Sequence, residues 1–354
     1  MLAVEQWPAA PPREPSSFVC SISQFKNERP FLVKSKMSKI MQGVFEPYLK
    51  RSGVVVLDGA LATELERRGA DLNDRLWSAK VLLEAPDLIR ELHLDYLNAG
   101  ADVVTSASYQ ATFDGFSRVG LSEREAVRLM KLSVQLAQDA RDQYWAEHGK
   151  QKQGLRPLVA ASVGPYGAFL ADGGEYRGDY ELTNQQLKLF HRRRIEVLLE
   201  ASPDLLAFET VPCRREGEVL VDLISEFPEA KAWLSFSCLD EENVCHGEKF
   251  RDCAALANQS PQIVAVGVNC TSPRLVEPLL LTAEGVTDRH LLAYPNSGEV
   301  WDTREKRWNQ RVGNVDIGKM ARQWHRSGAR LIGGCCRTTP EDIEAIAREF
   351  ETAV

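Results

Sequence analysis

Three cysteines of this sequence have the side-chain chemistry to hold one metal ion. Cys335 and Cys336 are adjacent, and Cys270 lies well upstream of them. Thiolate sulfur is a preferred ligand of Zn²⁺, and a tetrahedral site with three protein ligands leaves a fourth position for a substrate. The cysteines therefore predict an open zinc site, provided that the fold brings them together. The alternative is that they pack in the core as small apolar side chains, as buried cysteines commonly do.

The elements that would position these cysteines are visible as a repeating pattern of short apolar runs. From residue 54 onward, eight runs rich in Val, Ile, Leu and Ala alternate with amphipathic stretches. They span residues 54–58, 102–108, 158–164, 205–211, 233–238, 264–270, 291–296 and 329–335. Near-continuous apolar strands that alternate with helices indicate a parallel sheet covered by helices. Eight such units predict a protein of the α/β class with a single (β/α)₈ TIM barrel.

A doubly wound open sheet is the alternative to the barrel. It is disfavoured because no glycine-rich phosphate loop follows the first apolar run. Three stretches show the clearest helical periodicity and are predicted to form helices of the barrel wall. They span residues 86–98, 122–146 and 183–200.

In a parallel barrel, the carboxyl ends of the strands meet at one rim, where active sites form. Cys270 closes the sixth run, while Cys335 and Cys336 follow the eighth. These strands are two places apart around a barrel, so we expect the three thiols to converge. Gly333 and Gly334 are expected to allow the backbone to turn tightly before the cysteine pair.

Other polar residues also close predicted strands. Asp58 and Glu209 are candidate site residues, because each carries a carboxylate at the rim. The alternatives are a helix cap for Asp58 and a rim salt bridge for Glu209. Ser106, Asn269 and Asn296 are weaker candidates for substrate binding, because polar groups that close strands are often satisfied within the protein.

The composition narrows the class of protein. The chain has 354 residues and a formal net charge of −7, which argues against a nucleic-acid partner. Its apolar runs are shorter than the roughly 20 residues that a membrane span requires. Eight cysteines spread over so long a chain are typical of reduced thiols and predict a cytoplasmic protein.

Residues 1–50 differ from the rest of the chain. They contain clustered prolines and then a lysine-rich stretch, and we interpret them as a flexible N-terminal extension. An organelle-targeting segment is the alternative, although several glutamates do not fit that composition. The predicted organisation is therefore an extension over 1–50 and a barrel domain over 51–354.

Several motifs together resemble the homocysteine S-methyltransferase family. The most specific are Gly-Gly-Cys-Cys-Arg-Thr at 333–338 and Val-Gly-Val-Asn-Cys at 266–270. The resemblance extends over residues 54–350. Supporting matches lie at residues 58–63, 65–69, 107–112, 161–164, 208–210 and 294–299.

The resemblance implies a barrel that binds one zinc ion per chain through Cys270, Cys335 and Cys336. It also implies methyl transfer to homocysteine, giving methionine, with a sulfonium donor such as S-methylmethionine or S-adenosylmethionine. The resemblance further implies that the amino-acid end of homocysteine is held by Asp58, Gly59 and Glu209. Three alternatives stay open: betaine as the methyl donor, a selenium compound or another thiol as the acceptor, and a zinc-binding barrel without catalytic activity. The protein is expected to be a monomer or a small homo-oligomer.

Overall fold

A barrel of eight parallel strands forms the centre of the molecule. The computed structural model describes residues 43–70, 78–149, 154–302, 307–309 and 316–351. The barrel strands are β1 Val55–Val56, β2 Val103–Thr105, β3 Leu158–Val163, β4 Leu205–Val211, β5 Ala232–Phe236, β6 Ile263–Asn269, β7 His290–Tyr294 and β10 Ala329–Ile332. Each overlaps one of the eight predicted runs, and β5, β6 and β7 begin one residue before the predicted start. The (β/α)₈ prediction is confirmed.

The strands pair in the order β1-β10-β7-β6-β5-β4-β3-β2. The two ends of this series approach each other through a parallel bridge between Leu57 and Val103. The amide of Asp102 also donates to the carbonyl of Val56 over 2.7 Å. The sheet is thereby a nearly closed ring, in which β10 lies beside β7 and two places from β6.

Helices surround the barrel. They are α1 Glu46–Ser52, α2 Leu61–Arg67, α3 Ser78–Glu84, α4 Pro86–Asn98, α5 Phe113–Arg118, α6 Glu123–His148, α7 Tyr166–Leu170, α8 Asn184–Glu200, α9 Arg214–Ile224, α10 Phe250–Ala254, α11 Pro273–Thr282, α12 Ile317–Arg326 and α13 Pro340–Phe350. Short 3₁₀ turns occur at Gly174–Tyr176 and Ala255–Gln259. Within the described residues, none of these helices has the length and apolar character needed to cross a membrane.

The three predicted wall helices are confirmed as α4, α6 and α8. Helices α6 and α8 each begin one residue after the predicted start, because Ser122 and Thr183 are their N-caps. Each cap side chain accepts a hydrogen bond from the backbone amide three residues later, in a capping box. A further feature, an antiparallel hairpin of β8 Val300–Asp302 and β9 Arg307–Asn309, was not predicted.

Helix α1 lies at the amino end of the barrel. The buried side chains of Phe45 and Tyr48 pack with inward-facing residues of the strands, among them Leu57 and Leu205. Arg51 donates two hydrogen bonds, of 2.7 and 2.8 Å, to the carboxylate of Asp102, which precedes β2. The predicted boundary at residue 50 therefore falls inside a helix that packs with the barrel. Residues 1–42 lie outside the described residues.

Candidate metal and substrate site

The three predicted ligand cysteines come together at the carboxyl rim. Cys270 follows β6, and Cys335 and Cys336 follow β10. Their sulfur atoms all lie within 4.8 Å of one another, and the Cys270 and Cys336 sulfurs are 3.4 Å apart. Sulfur atoms bound to a tetrahedral Zn²⁺ at about 2.3 Å are separated by about 3.8 Å. The cluster could therefore bind a metal ion, and its spacing and thiol chemistry fit zinc.

The segment that follows β7 supports both parts of this cluster. The amide of Cys270 donates to the carbonyl of Tyr294 over 3.2 Å, and the amide of Cys335 donates to the carbonyl of Pro295 over 2.7 Å. The amide of Ser297 in turn donates to the carbonyl of Cys336 over 3.0 Å. Since β7 lies between β6 and β10, its C-terminal extension connects the two ligand-bearing loops.

The role predicted for the two glycines before the cysteine pair needs a correction. Neither Gly333 nor Gly334 has a positive φ, so a left-handed turn is not what requires them. A Cβ at Gly333 would lie 2.6 Å from the Cβ of Leu57, and one at Gly334 would lie 2.2 Å from the hydroxyl oxygen of Thr338. Glycine is required here because neighbouring groups leave no room for a side chain.

Backbone strain occurs directly at the cluster. Cys270 has a φ of 47° and Thr210, which follows Glu209 at the end of β4, has a φ of 59°. Non-glycine residues rarely adopt this left-handed region, and they do so mainly where the surrounding structure holds them for a functional reason. The side-chain oxygen of Asn269 accepts a hydrogen bond from the Thr210 amide over 2.7 Å, and its nitrogen donates to the Thr210 hydroxyl over 2.8 Å.

Two polar groups contact the cluster from neighbouring elements. The hydroxyl of Tyr176 lies 3.0 Å from the sulfur of Cys270, and the side-chain nitrogen of Asn269 lies 3.8 Å from the sulfur of Cys335. Asn269 was predicted as a substrate-binding residue, whereas Tyr176 was not identified as a site residue. Tyr176 lies in a long loop after β3, and neither its spacing nor a strand end marks it in the sequence.

The three thiols titrate as a coupled group. Hydrogen bonds from Cys335 and Cys336 lower the pKa of Cys270 well below its ordinary value. Hydrogen bonding to Cys270 raises the pKa values of Cys335 and Cys336. The first negative charge is thus stabilised on Cys270, and a bound cation would promote loss of the remaining protons.

Glu209 is buried within the same rim. Its carboxylate accepts hydrogen bonds from the hydroxyls of Ser162 and Tyr294, the second over 3.1 Å. Burial is the main cause that raises the pKa of Glu209 to about 7. Among the described residues, no basic side chain forms an ion pair with Glu209, so the structure does not support the rim salt bridge considered above.

Asp58 is also buried, and its carboxylate connects β1 to β2. It accepts hydrogen bonds from the amide and hydroxyl of Thr105, over 2.7 and 3.0 Å. Burial raises the pKa of Asp58 to about 8. Asp58 is not the cap of the following helix, because Ala60 occupies that position. The adjacent Gly59 packs against Tyr96, where a Cβ would lie only 2.8 Å from the ring.

The weaker candidates Ser106 and Asn296 are bonded to protein groups. The Ser106 hydroxyl lies 2.7 Å from that of Ser108 and accepts from the amide of Ser162 over 3.2 Å. The side-chain oxygen of Asn296 accepts from the amide of Gly298 over 2.9 Å. Their substrate-binding roles stay predictions.

Comparison of this sequence with known proteins identifies its family. The model of the homocysteine S-methyltransferase family matches residues 55–350. Homocysteine S-methyltransferase YbgG of Bacillus subtilis is 50% identical over 294 residues, which cover 83% of this chain and 93% of that protein. Homocysteine S-methyltransferase 1 of Zea mays is 47% identical over 314 residues, covering 86% and 97%.

A solved structure also matches over nearly its full length. The metallated form of the homocysteine methyltransferase MmuM from Escherichia coli has a TM-score of 0.77 and 46% identity, covering 86% of this chain and 99% of that one. The range matched by the family model includes all eight barrel strands and the three clustered cysteines. The chain therefore belongs to the homocysteine S-methyltransferase family and is a methyltransferase.

Proposed function

We propose that this protein transfers a methyl group from a sulfonium donor, S-methylmethionine or S-adenosylmethionine, to homocysteine and so produces methionine. The observation that carries the proposal is the convergence of three thiols within 4.8 Å at the carboxyl rim of a barrel of this family. Cys270, Cys335 and Cys336 would hold one zinc ion. Zinc, when bound, supplies the stabilisation that makes the homocysteine thiol a thiolate at neutral pH.

The cysteine thiolates define the electrostatic environment of the reaction. Three thiolates and one Zn²⁺ carry a net charge of −1, so the site attracts a positively charged donor. Neutralisation of that positive sulfur during transfer is favoured where water is excluded. Cys270 is only 5% exposed and Cys335 and Cys336 are half-buried, so the cluster is partly shielded from solvent.

In the transfer step, an electron pair of the homocysteine sulfur forms a bond to the donor methyl carbon. The bond between that carbon and the sulfonium sulfur breaks, and its electron pair stays on the donor sulfur as a neutral thioether. The proton of the homocysteine thiol leaves before transfer. The product sulfur is also a neutral thioether, which is a poorer ligand than a thiolate, so methionine can dissociate.

Glu209 and Asp58 would bind the amino-acid end of homocysteine. The buried Glu209 carboxylate is orientated by Ser162 and Tyr294, and a substrate ammonium group would favour its ionised form. The backbone amide of Gly59 would donate a hydrogen bond to the substrate carboxylate. Asp58, Gly59, Glu209, Ser106, Asn269 and Asn296 are thus the proposed substrate-binding residues.

The test combines metal analysis with a donor panel. Purified protein is expected to contain about one zinc ion per chain. With homocysteine it should form methionine from S-methylmethionine or S-adenosylmethionine, with betaine and a selenol acceptor as comparison reactions. Protein fully loaded with zinc that forms no methionine from any sulfonium donor would contradict the proposal and favour a non-catalytic zinc-binding barrel.

A further inference from the structure

Glu175 is an acidic residue beside the thiol cluster, and the sequence analysis did not identify it. It is the middle residue of the 3₁₀ turn Gly174–Tyr176 in the loop after β3. One oxygen of its half-buried carboxylate, Oε2, is shielded from solvent and has no hydrogen-bond partner among the described residues. A buried carboxylate oxygen without a partner is costly, which indicates that a ligand completes the interaction.

The surrounding structure holds Glu175 in this position. The hydroxyl of Ser237, which follows β5, donates to the carbonyl of Glu175 over 2.9 Å. On the other side of the turn, Gly174 contacts Gly167 so closely that a Cβ at Gly167 would lie 2.2 Å from the Gly174 carbonyl carbon. The turn is thus held against the segment after β5 on one side and against α7 on the other.

The turn also places Glu175 next to the reacting centre. Its neighbour Tyr176 contacts the sulfur of Cys270 at 3.0 Å. Glu175 and the thiols of Cys270 and Cys336 interact electrostatically, each disfavouring the charge of the other. The carboxylate of Glu175 is not one of the ligand atoms that lie within 4.8 Å of one another, so it is not part of the metal-binding group.

The nearby basic residue is already engaged elsewhere. Arg177 forms ion pairs with Asp172 at 3.1 Å and with Asp179 at 3.3 Å. Within the described parts of the chain, no ion pair neutralises Glu175. Arg177 acts on Glu175 only without direct contact. Among the residues that the structure describes, this acid therefore has no ion-pair partner, and a cationic ligand would supply one.

We propose that Glu175 selects the methyl donor by binding its positively charged sulfonium group. This inference rests on the proposed function, because it assigns the donor side of the same site. It distinguishes Glu175 from Glu209 and Asp58, which are proposed to bind the amino-acid end of homocysteine. Glu175 is thus a specificity-determining residue for cationic donors.

Binding measurements without homocysteine test the proposal apart from turnover. Calorimetry compares S-methylmethionine with 2-amino-5-methylhexanoate, in which a neutral CH group replaces the sulfonium sulfur at nearly the same shape. Wild-type protein should prefer the cation, and Glu175→Gln should reduce that preference roughly tenfold to hundredfold. The control Glu181→Gln changes an exposed carboxylate later in the same loop and should retain the preference.

Steady-state kinetics provide the second measurement. Glu175→Gln should raise the KM for the donor by a similar factor while the KM for homocysteine stays within about twofold. An unchanged cation preference in Glu175→Gln would overturn the proposal, as would loss of bound metal or a fall in kcat alone. If Glu175→Gln does not fold, Glu175→Ala carries the same test. Absence of turnover in wild-type protein contradicts the proposed function, whereas the binding ratio still decides the role of Glu175.

Discussion

The two ends of the barrel are built for different purposes. At the carboxyl end, Cys270 and Thr210 adopt left-handed backbone conformations, and the carboxyl groups of Asp58 and Glu209 are buried. At the amino end, Tyr48 of α1 and Phe45, the N-cap of that helix, pack against apolar strand residues. Strain and buried acids cost stability, whereas apolar packing contributes to it.

The comparison indicates that stability and activity are separated along the barrel axis. The amino end stabilises a scaffold that can tolerate unfavourable groups at the rim. Substitutions at the rim should therefore alter metal binding and catalysis with small losses of stability, and substitutions at the amino end should do the reverse. We also propose that the folded domain begins with α1 and not at residue 51.

The largest expected effect is on activity at the rim. Cys270→Ser should lower kcat/KM at least about a thousandfold, equivalent to about 4 kcal/mol of transition-state stabilisation, because it removes a metal ligand. Mass spectrometry measures the metal content, and the rate of methionine formation measures kcat/KM. Cys213→Ala, which changes a buried thiol outside the cluster, should retain metal and activity. A Cys270→Ser enzyme with a tenth of wild-type activity would be incompatible with the proposed ligand set.

The next effect is on stability at the amino end. Tyr48→Ala should reduce the free energy of unfolding by about 3–5 kcal/mol, because it empties part of the inner core. The activity of the folded fraction should stay within about twofold. Urea unfolding and kinetics measure the two quantities. Tyr48→Phe removes only the hydrogen bond to the Arg156 carbonyl and should cost about 1 kcal/mol. A large loss of kcat/KM in folded Tyr48→Ala would break the separation between the two ends.

A pH dependence should reveal the cost of the buried acids. A carboxyl whose pKa is higher in the folded than in the unfolded chain stabilises the fold at low pH, and this contribution is lost as the pH rises through the folded pKa. Burial raises the pKa of Glu209 to about 7. Metal-free protein should therefore lose stability between pH 5 and pH 9.

Glu209→Gln should reduce the loss of unfolding free energy between pH 5 and pH 9 by about 2–3 kcal/mol. Urea unfolding of metal-free protein at both pH values measures it. Glu218→Gln, which changes a half-buried carboxylate of α9 that is paired with Arg214, should leave the pH difference unchanged. An equal pH difference in wild type and Glu209→Gln would show that Glu209 is not a buried acid of this kind.

The smallest expected effect concerns support of the ligands. Asn269→Leu should weaken metal affinity about 10–100-fold, because Thr210 loses two hydrogen bonds and Cys335 loses a polar neighbour. Competition with a chelator measures the affinity. Asn258→Leu, which removes an exposed amide remote from the rim, is the control. Equal affinities in the two variants would show that Asn269 does not support the site.

Much of the fold could be predicted because its signals are local. The apolar runs and amphipathic stretches identified all eight strands and three wall helices, since burial on both faces and on one face produces different periodicities. Helix α1 was missed, because a short helix beside a proline-rich and lysine-rich segment has little periodicity of its own. Its place in the domain depends on contacts of Phe45 and Tyr48 with distant strands.

At the site, residue chemistry and strand ends were sufficient to predict the meeting of Cys270, Cys335 and Cys336. The sequence by itself therefore determined the barrel, the thiol cluster and the family. Only the tertiary structure decided which groups surround the cluster, because Glu175 and Tyr176 arrive there through loop contacts that have no period and no fixed spacing. It also decided why Gly333 and Gly334 are glycines, since the atoms that exclude a side chain come from Leu57 and Thr338.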